Sequence, residues 1–219
     1  ATLKDDNSYA YLFRKAKFDH YDGSLDSAIS NMLKAAELAG ENKYLKQAAL
    51  SNAADLCLHK GDLKKAFSLY KSSINIDGAD MHSISGIAWL ALVHDKKDTL
   101  AENIFRFVQK NTQSPDVLLK LMQVAEFRGD SITQRQYAEE FISIATKQHY
   151  GNMYNKYLID LYTGIINEPA KAVALAEKEL IDRANPQTYT WYVWSLYNNK
   201  KKEKAYTYFK SYVSAQPLE

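Results

Sequence analysis

Apolar residues recur three and four positions apart on both sides of Gly61 and Asp62 across residues 52–77. This spacing predicts two amphipathic helices joined by a tight turn. Gly61 suits the end of the first helix, where the backbone must turn left-handed, and Asp62 suits the cap of the second, where a carboxylate accepts free amide hydrogens. A helix hairpin follows from residues 52–77 alone, and similar patterns recur along most of the chain.

The hairpin resembles the tetratricopeptide repeat, a helix-turn-helix unit of 34 residues. That family carries small residues at its eighth and twentieth positions, an aromatic at the twenty-fourth and often proline at the thirty-second. Ala54, Ala66 and Tyr70 occupy the first three, and Gly78 stands where the proline is common. Small residues are needed there because helices approach closely only where no bulky side chain intervenes.

The same frame places the twentieth position at Ala28, Ala66, Ala101, Gln134, Ala172 and Ala205, in steps of 38, 35, 33, 38 and 33 residues. The first unit carries Ala16, Gly23, Ala28, Met32 and Ala35. The third carries Ala101 and Phe105 but puts Trp89 near the small position, a sign of a register offset by one. The fourth turns at Gly129 and Asp130 yet has Gln134 and Ala138 where alanine and an aromatic are expected, so longer or tilted helices are anticipated. The fifth has Pro169 early in its second helix, where a missing amide hydrogen is harmless. The sixth aligns Tyr189, Ala205, Phe209 and Pro217 with the repeat.

The resemblance implies an all-α fold, a right-handed α-solenoid of about six hairpins and twelve helices over residues 8–216, without a linker. The units fall at 9–44, 47–80, 82–114, 115–150, 153–185 and 186–217, after an N-terminal extension at 1–7. Residues 110–115 and 148–152 are the most turn-like stretches.

Composition agrees with helices: 8 glycines and 4 prolines leave little material for the turns of a β-rich fold, and 46% hydrophobic with 25% charged residues suits a packed core. The most apolar stretch, 84–93, is interrupted by Ser85 and Gly86 and is too short to span a membrane. A net charge of +2 with interspersed signs provides no field for capturing nucleic acid. The basic run of Lys200, Lys201, Lys202 and Lys204 reads as a solvated turn. Cys57 is the only cysteine, which excludes an intramolecular disulfide, and its apolar surroundings mark it as a small hydrophobe. The start at Ala1, without a basic-then-apolar leader, fits a removed signal peptide or a trimmed chain. With an Asn-, Lys- and Tyr-rich composition it leans to an exported or periplasmic bacterial protein, with the cytoplasm as the alternative.

In the family that it resembles, partners bind along the first helix of each hairpin. Carried onto this chain, those positions are Tyr154, Tyr157, Leu161, Thr190, Trp194 and Tyr197, with Ser51, Asp55, Leu58 and His59 in the second unit. Tyrosine and tryptophan are enriched at interface hot spots because they bury much area with few rotatable bonds. The bland reading of Trp191 and Trp194 is that they close the end of the array. A carboxylate clamp from Arg14, Lys17, Asn52 and Lys120 does not assemble, since Asp55, Ile87 and Leu90 interrupt it.

No phosphate loop, nucleophile elbow or zinc-binding helix is spelled by the sequence. His20, His59 and His94 lie in different hairpins and lack the His-x-x-x-His spacing. They read as surface residues, although adjacent hairpins place His59 and His94 in reach of each other. Arg128, Gly129 and Asp130 spell an adhesion tripeptide that the turn explains, and Glu139 and Glu140 lie on a polar face. The expectation is a non-enzymatic module that binds a protein or peptide, with no cofactor, metal or nucleic acid. Its alternative is a self-associating subunit of a larger, cell-envelope assembly, joined through Trp191, Tyr206, Tyr208 and Tyr212.

Overall fold

The computed structural model describes residues 8–147 and 150–215. The extension at 1–7, part of the 148–152 turn and Pro217 therefore lie outside the described residues. The chain divides after Gln113 into two compact units, at the stretch that the sequence marks as most turn-like.

The first unit holds three hairpins: α1 (Tyr9–Tyr21) with α2 (Leu25–Leu38), α3 (Lys43–Lys60) with α4 (Leu63–Ile76), and α5 (Met81–Val93) with α6 (Asp98–Asn111). Helix starts are set by side chains that accept orphan amide hydrogens: Ser8 from Tyr11, Asn42 from Leu45, Asp62 from Lys65 and Asp80 from Ser83. At the turn after α3, Gly61 adopts φ 84°, and the Asp62 amide donates back to the Cys57 carbonyl at 2.9 Å. This closes the helix as the sequence leads one to expect.

The core of this unit is built on small residues. Ala16, Ala28, Ala35, Ala49, Ala53, Ala54 and Ala66 have no exposed surface, so the helices meet nearly backbone to backbone. Larger side chains fill what remains: Met32 and Tyr70 are each 1% exposed, and burying such a side chain stabilises by roughly 1.5–3 kcal/mol. The Tyr70 ring lies against Gly86 of α5, where a Cβ would stand 2.3 Å from the ring carbon Cζ. Glycine is required there by the approach of the ring. In the third hairpin Ala88, not Trp89, is the fully buried small residue, which accounts for the one-residue offset in the frame.

The second unit holds α7 (Asp116–Phe127) with α8 (Ser131–Lys147), α9 (Asn155–Thr163) with α10 (Pro169–Asp182), and α11 (Pro186–Asn198) with α12 (Lys202–Tyr208), which runs into a π-helical turn at Phe209–Val213. The fourth hairpin departs from the expected frame. Its second helix has 17 residues against 14 in α4 and α6, and the buried small residue is Ala138, one turn beyond the half-buried Gln134. Phe141 and Ala145 continue that buried stripe. Pro169 opens α10 as expected, and α11 opens with a reciprocal cap in which the Asn185 side chain accepts from the Thr188 amide and Thr188 Oγ1 accepts from the Asn185 amide, each at 3.0 Å.

Ala172, Val173 and Ala176 of α10 pack with Tyr192 and Leu196 of α11 in the core of the last two hairpins. Ala205 joins them, but Phe209 does not. The sequence frame assigns Phe209 the aromatic core position that Tyr70 fills in the second hairpin, yet it is 38% exposed. No further helix covers it among the described residues.

Candidate protein-binding surface

The six residues expected along the groove separate into two groups. Tyr154 and Leu161 are 4% and 5% exposed, so they belong to the core and not to an open surface. Tyr154 meets Phe141 edge-on with ring centroids 5.3 Å apart, and Leu161 packs in the same cluster. Burial pushes the Tyr154 hydroxyl pKa above its ordinary value. Tyr157 is more open but also touches Phe141, at 6.4 Å between centroids.

Thr190, Trp194 and Tyr197 form the second group. They are four and three residues apart on α11 and therefore share one face, and all three are exposed. Trp194 and Tyr197 are 50% and 52% exposed, stacked at 6.4 Å with an interplanar angle of 17°. The Trp194 indole N–H donates to Thr163 Oγ1 at 3.1 Å, which fixes the ring while leaving its face open. Trp191, by contrast, is half-buried against the core, with the Arg183 guanidinium 5.7 Å from its centroid.

Trp194 and Tyr197, with Val193, form one wall of a cleft of about 790 Å³, and Ala205, Tyr206, Phe209 and Val213 form the other. Lys202, over the Tyr197 ring at 5.6 Å, and Glu203 also line the cleft, so one cation and one carboxylate border its apolar walls. The second wall lies on α12 and the turn after it, the second helix of its hairpin, whereas the groove positions of the repeat lie on first helices.

His59 meets His20, not His94. The His59 Nδ1 and His20 Nε2 atoms are 3.0 Å apart and the rings stack at 5.1 Å, whereas His94 contacts Asp95 at 2.7 Å. Among the described residues no three His, Cys, Asp or Glu side chains converge on a metal position, and no helix is long and apolar enough to cross a membrane.

An all-α array of six such hairpins is a tetratricopeptide-like helical repeat, and solved structures place it in that fold. A tetratricopeptide repeat protein from Parabacteroides merdae matches 95% of this chain and 78% of its own, with 21% identity and a TM-score of 0.59. The APC/C hetero-tetramer Cut9–Hcn1 matches 96% of this chain at 13% identity and a TM-score of 0.59, but this chain spans only 44% of that one. The C-terminal part of a TPR repeat-containing protein from Cytophaga hutchinsonii matches 94% of this chain and 89% of its own, with 16% identity and a TM-score of 0.51. At these identities the likeness is one of fold. No family model matches the sequence, and no curated protein matches it.

Proposed function

We propose that this chain is a non-enzymatic protein-interaction module, its repeats running over residues 8–216, that binds a protein or peptide partner through the cleft beside Trp194 and Tyr197. The observation that carries this reading is the exposure of two stacked aromatic rings at an apolar cleft. Exposed contiguous apolar surface of this kind marks interaction sites in soluble proteins, and aromatic anchors dominate interface energetics. Cut9, in the hetero-tetramer with Hcn1, offers an example of a protein of this fold within an assembly. Thr190 lines the same cleft, whereas Tyr154 and Leu161 lie in a separate buried cluster with Phe141.

The test is affinity capture with the wild-type chain and with a Trp194→Ala, Tyr197→Ala double variant shown by circular dichroism to be folded. A partner retained by the first and lost by the second is the expected result. Identical retention by both, or no partner for either, removes this surface as the binding site.

A further inference from the structure

The ends of two first helices bring a pair of imidazoles together. His20 is the next-to-last residue of α1 and His59 the next-to-last residue of α3. They are 39 residues apart in the chain, yet His59 Nδ1 and His20 Nε2 stand 3.0 Å from each other. The spacing is held from the core. Ala16, one turn before His20, and Cys57, two residues before His59, have no exposed surface and belong to one buried cluster. Towards the opposite ends of the two helices, the Tyr9 hydroxyl donates to the Leu45 carbonyl at 3.1 Å. The core thus places the helices, while both imidazoles remain open to solvent.

Two imidazole nitrogens at this distance are close to the bite of a single metal ion. Zinc binds imidazole nitrogen at about 2.0–2.1 Å, so two nitrogens on a tetrahedral zinc stand about 3.3 Å apart. Parting the exposed rings by about 0.3 Å meets that spacing. The helix ends favour the charge as well, because the last carbonyls of α1 and α3 carry partial negative charge. Lys60, the residue after His59, is ion-paired with Asp26 of α2, which offsets its own cation. Imidazole suits zinc, copper and nickel, whereas calcium and magnesium take oxygen ligands.

We propose that His20 Nε2 and His59 Nδ1 together bind one late first-row divalent cation, with zinc as the type. Among the described residues no third His, Cys, Asp or Glu converges on the pair, so the remaining coordination positions belong to water or to a side chain of another molecule. In the hydrogen-bonded pair one facing nitrogen carries a proton and the other a lone pair. Metal binding needs a lone pair on both. That proton therefore passes through solvent to the other nitrogen of its own ring, and the neutral pair releases none. The site stands apart from the aromatic cleft and does not depend on the reading of it.

Isothermal titration of the full chain with zinc chloride tests the site, beside His20→Ala, His59→Ala, the double variant and His94→Ala. The wild type is expected to take up one zinc per chain. Either single substitution removes one of the two protein ligands and is expected to weaken binding about tenfold or more. The double variant should be weaker than the singles by about threefold at most, because two ligands of one ion act as a unit. His94, which contacts Asp95 instead, serves as control, and His94→Ala should bind as wild type does. Since both ligands are exposed, all variants should melt close to wild type without metal. Added zinc should then raise the melting temperature only of proteins that keep both histidines. Calcium chloride at the same concentration should give neither heat nor shift. Absence of zinc uptake by the wild type overturns the site. So does undiminished uptake by either single variant, which would mark an adventitious ion elsewhere, or an equal response to calcium, which would mark a general effect of charge.

Discussion

Asn155 Nδ2 of α9 donates to Glu179 Oε1 of α10 at 2.5 Å, and both side chains are buried. The other carboxylate oxygen accepts from Arg183 Nε at 2.6 Å, with the guanidinium half exposed to solvent. A wholly buried carboxylate thus has a donor on each oxygen, which is what its burial demands. Glu179→Ala leaves Asn155 without its acceptor and is expected to destabilise by roughly 1–3 kcal/mol. Glu179→Gln keeps an acceptor oxygen and should lose less, and urea unfolding of both variants measures the order.

Gly86 faces the Tyr70 ring without space for a methyl group. Replacing a mid-helix glycine by alanine ordinarily stabilises by roughly 0.5–1 kcal/mol. Here the sign should reverse, with Gly86→Ala destabilising by about 1–3 kcal/mol through overpacking. In a Tyr70→Ala background the same substitution should be harmless or stabilising. A double-mutant cycle without coupling would place the ring elsewhere.

Tyr154 and Tyr157 are three residues apart but differ in burial, 4% against 42% exposed. Tyr154→Ala empties a core position and is expected to cost about 3–5 kcal/mol, as large aromatic truncations do. Tyr157→Ala should cost about 1 kcal/mol or less, as substitutions at open positions do. Equal thermal shifts for the two would contradict the core assignment of Tyr154.

His82 Nε2 contacts Asp55 Oδ2 at 2.9 Å, while Asp55 Oδ1 accepts from the Tyr70 hydroxyl at 2.5 Å. The hydrogen bond with Asp55 raises the His82 pKa above its ordinary value. A raised folded pKa gives stability that is fully present below the unfolded value of about 6.5 and is lost as pH rises through the folded pKa. Because His82 is exposed, the contribution should be about 0.2–1 kcal/mol. The difference in stability between pH 6 and pH 8 should therefore shrink in His82→Gln, measured by urea unfolding at both pH values.

The local elements were legible because their causes are local. Gly61 beside Asp62 ends one helix and caps the next, Pro169 opens α10, and Ala28, Ala66 and Ala101 repeat at hairpin spacing. These residues act through their own backbone or through neighbours a turn away, so the hairpin over residues 52–77 follows from spacing, and about twelve helices follow from the repeat that it resembles. The fourth hairpin resisted this reading because its buried stripe starts at Ala138 in place of Gln134, a choice made by the helices that pack against α8.

Accessibility was decided by packing across hairpins. Helical periodicity tells which residues share a face, but each hairpin divides its apolar faces between its own partner helix and its neighbours. Tyr154 and Trp194 are both aromatic residues on the expected groove face, yet Phe141 covers the first while the second stays open. Tyr70 and Phe209 hold the same place in the repeat, but Tyr70 is buried under α5 whereas Phe209 stays 38% exposed. The amino-acid sequence determined the helices, their turns and the alanines on which they cross. The tertiary structure decided which aromatics became core and which formed the cleft, because burial of a repeat position depends on the helix that arrives next to it.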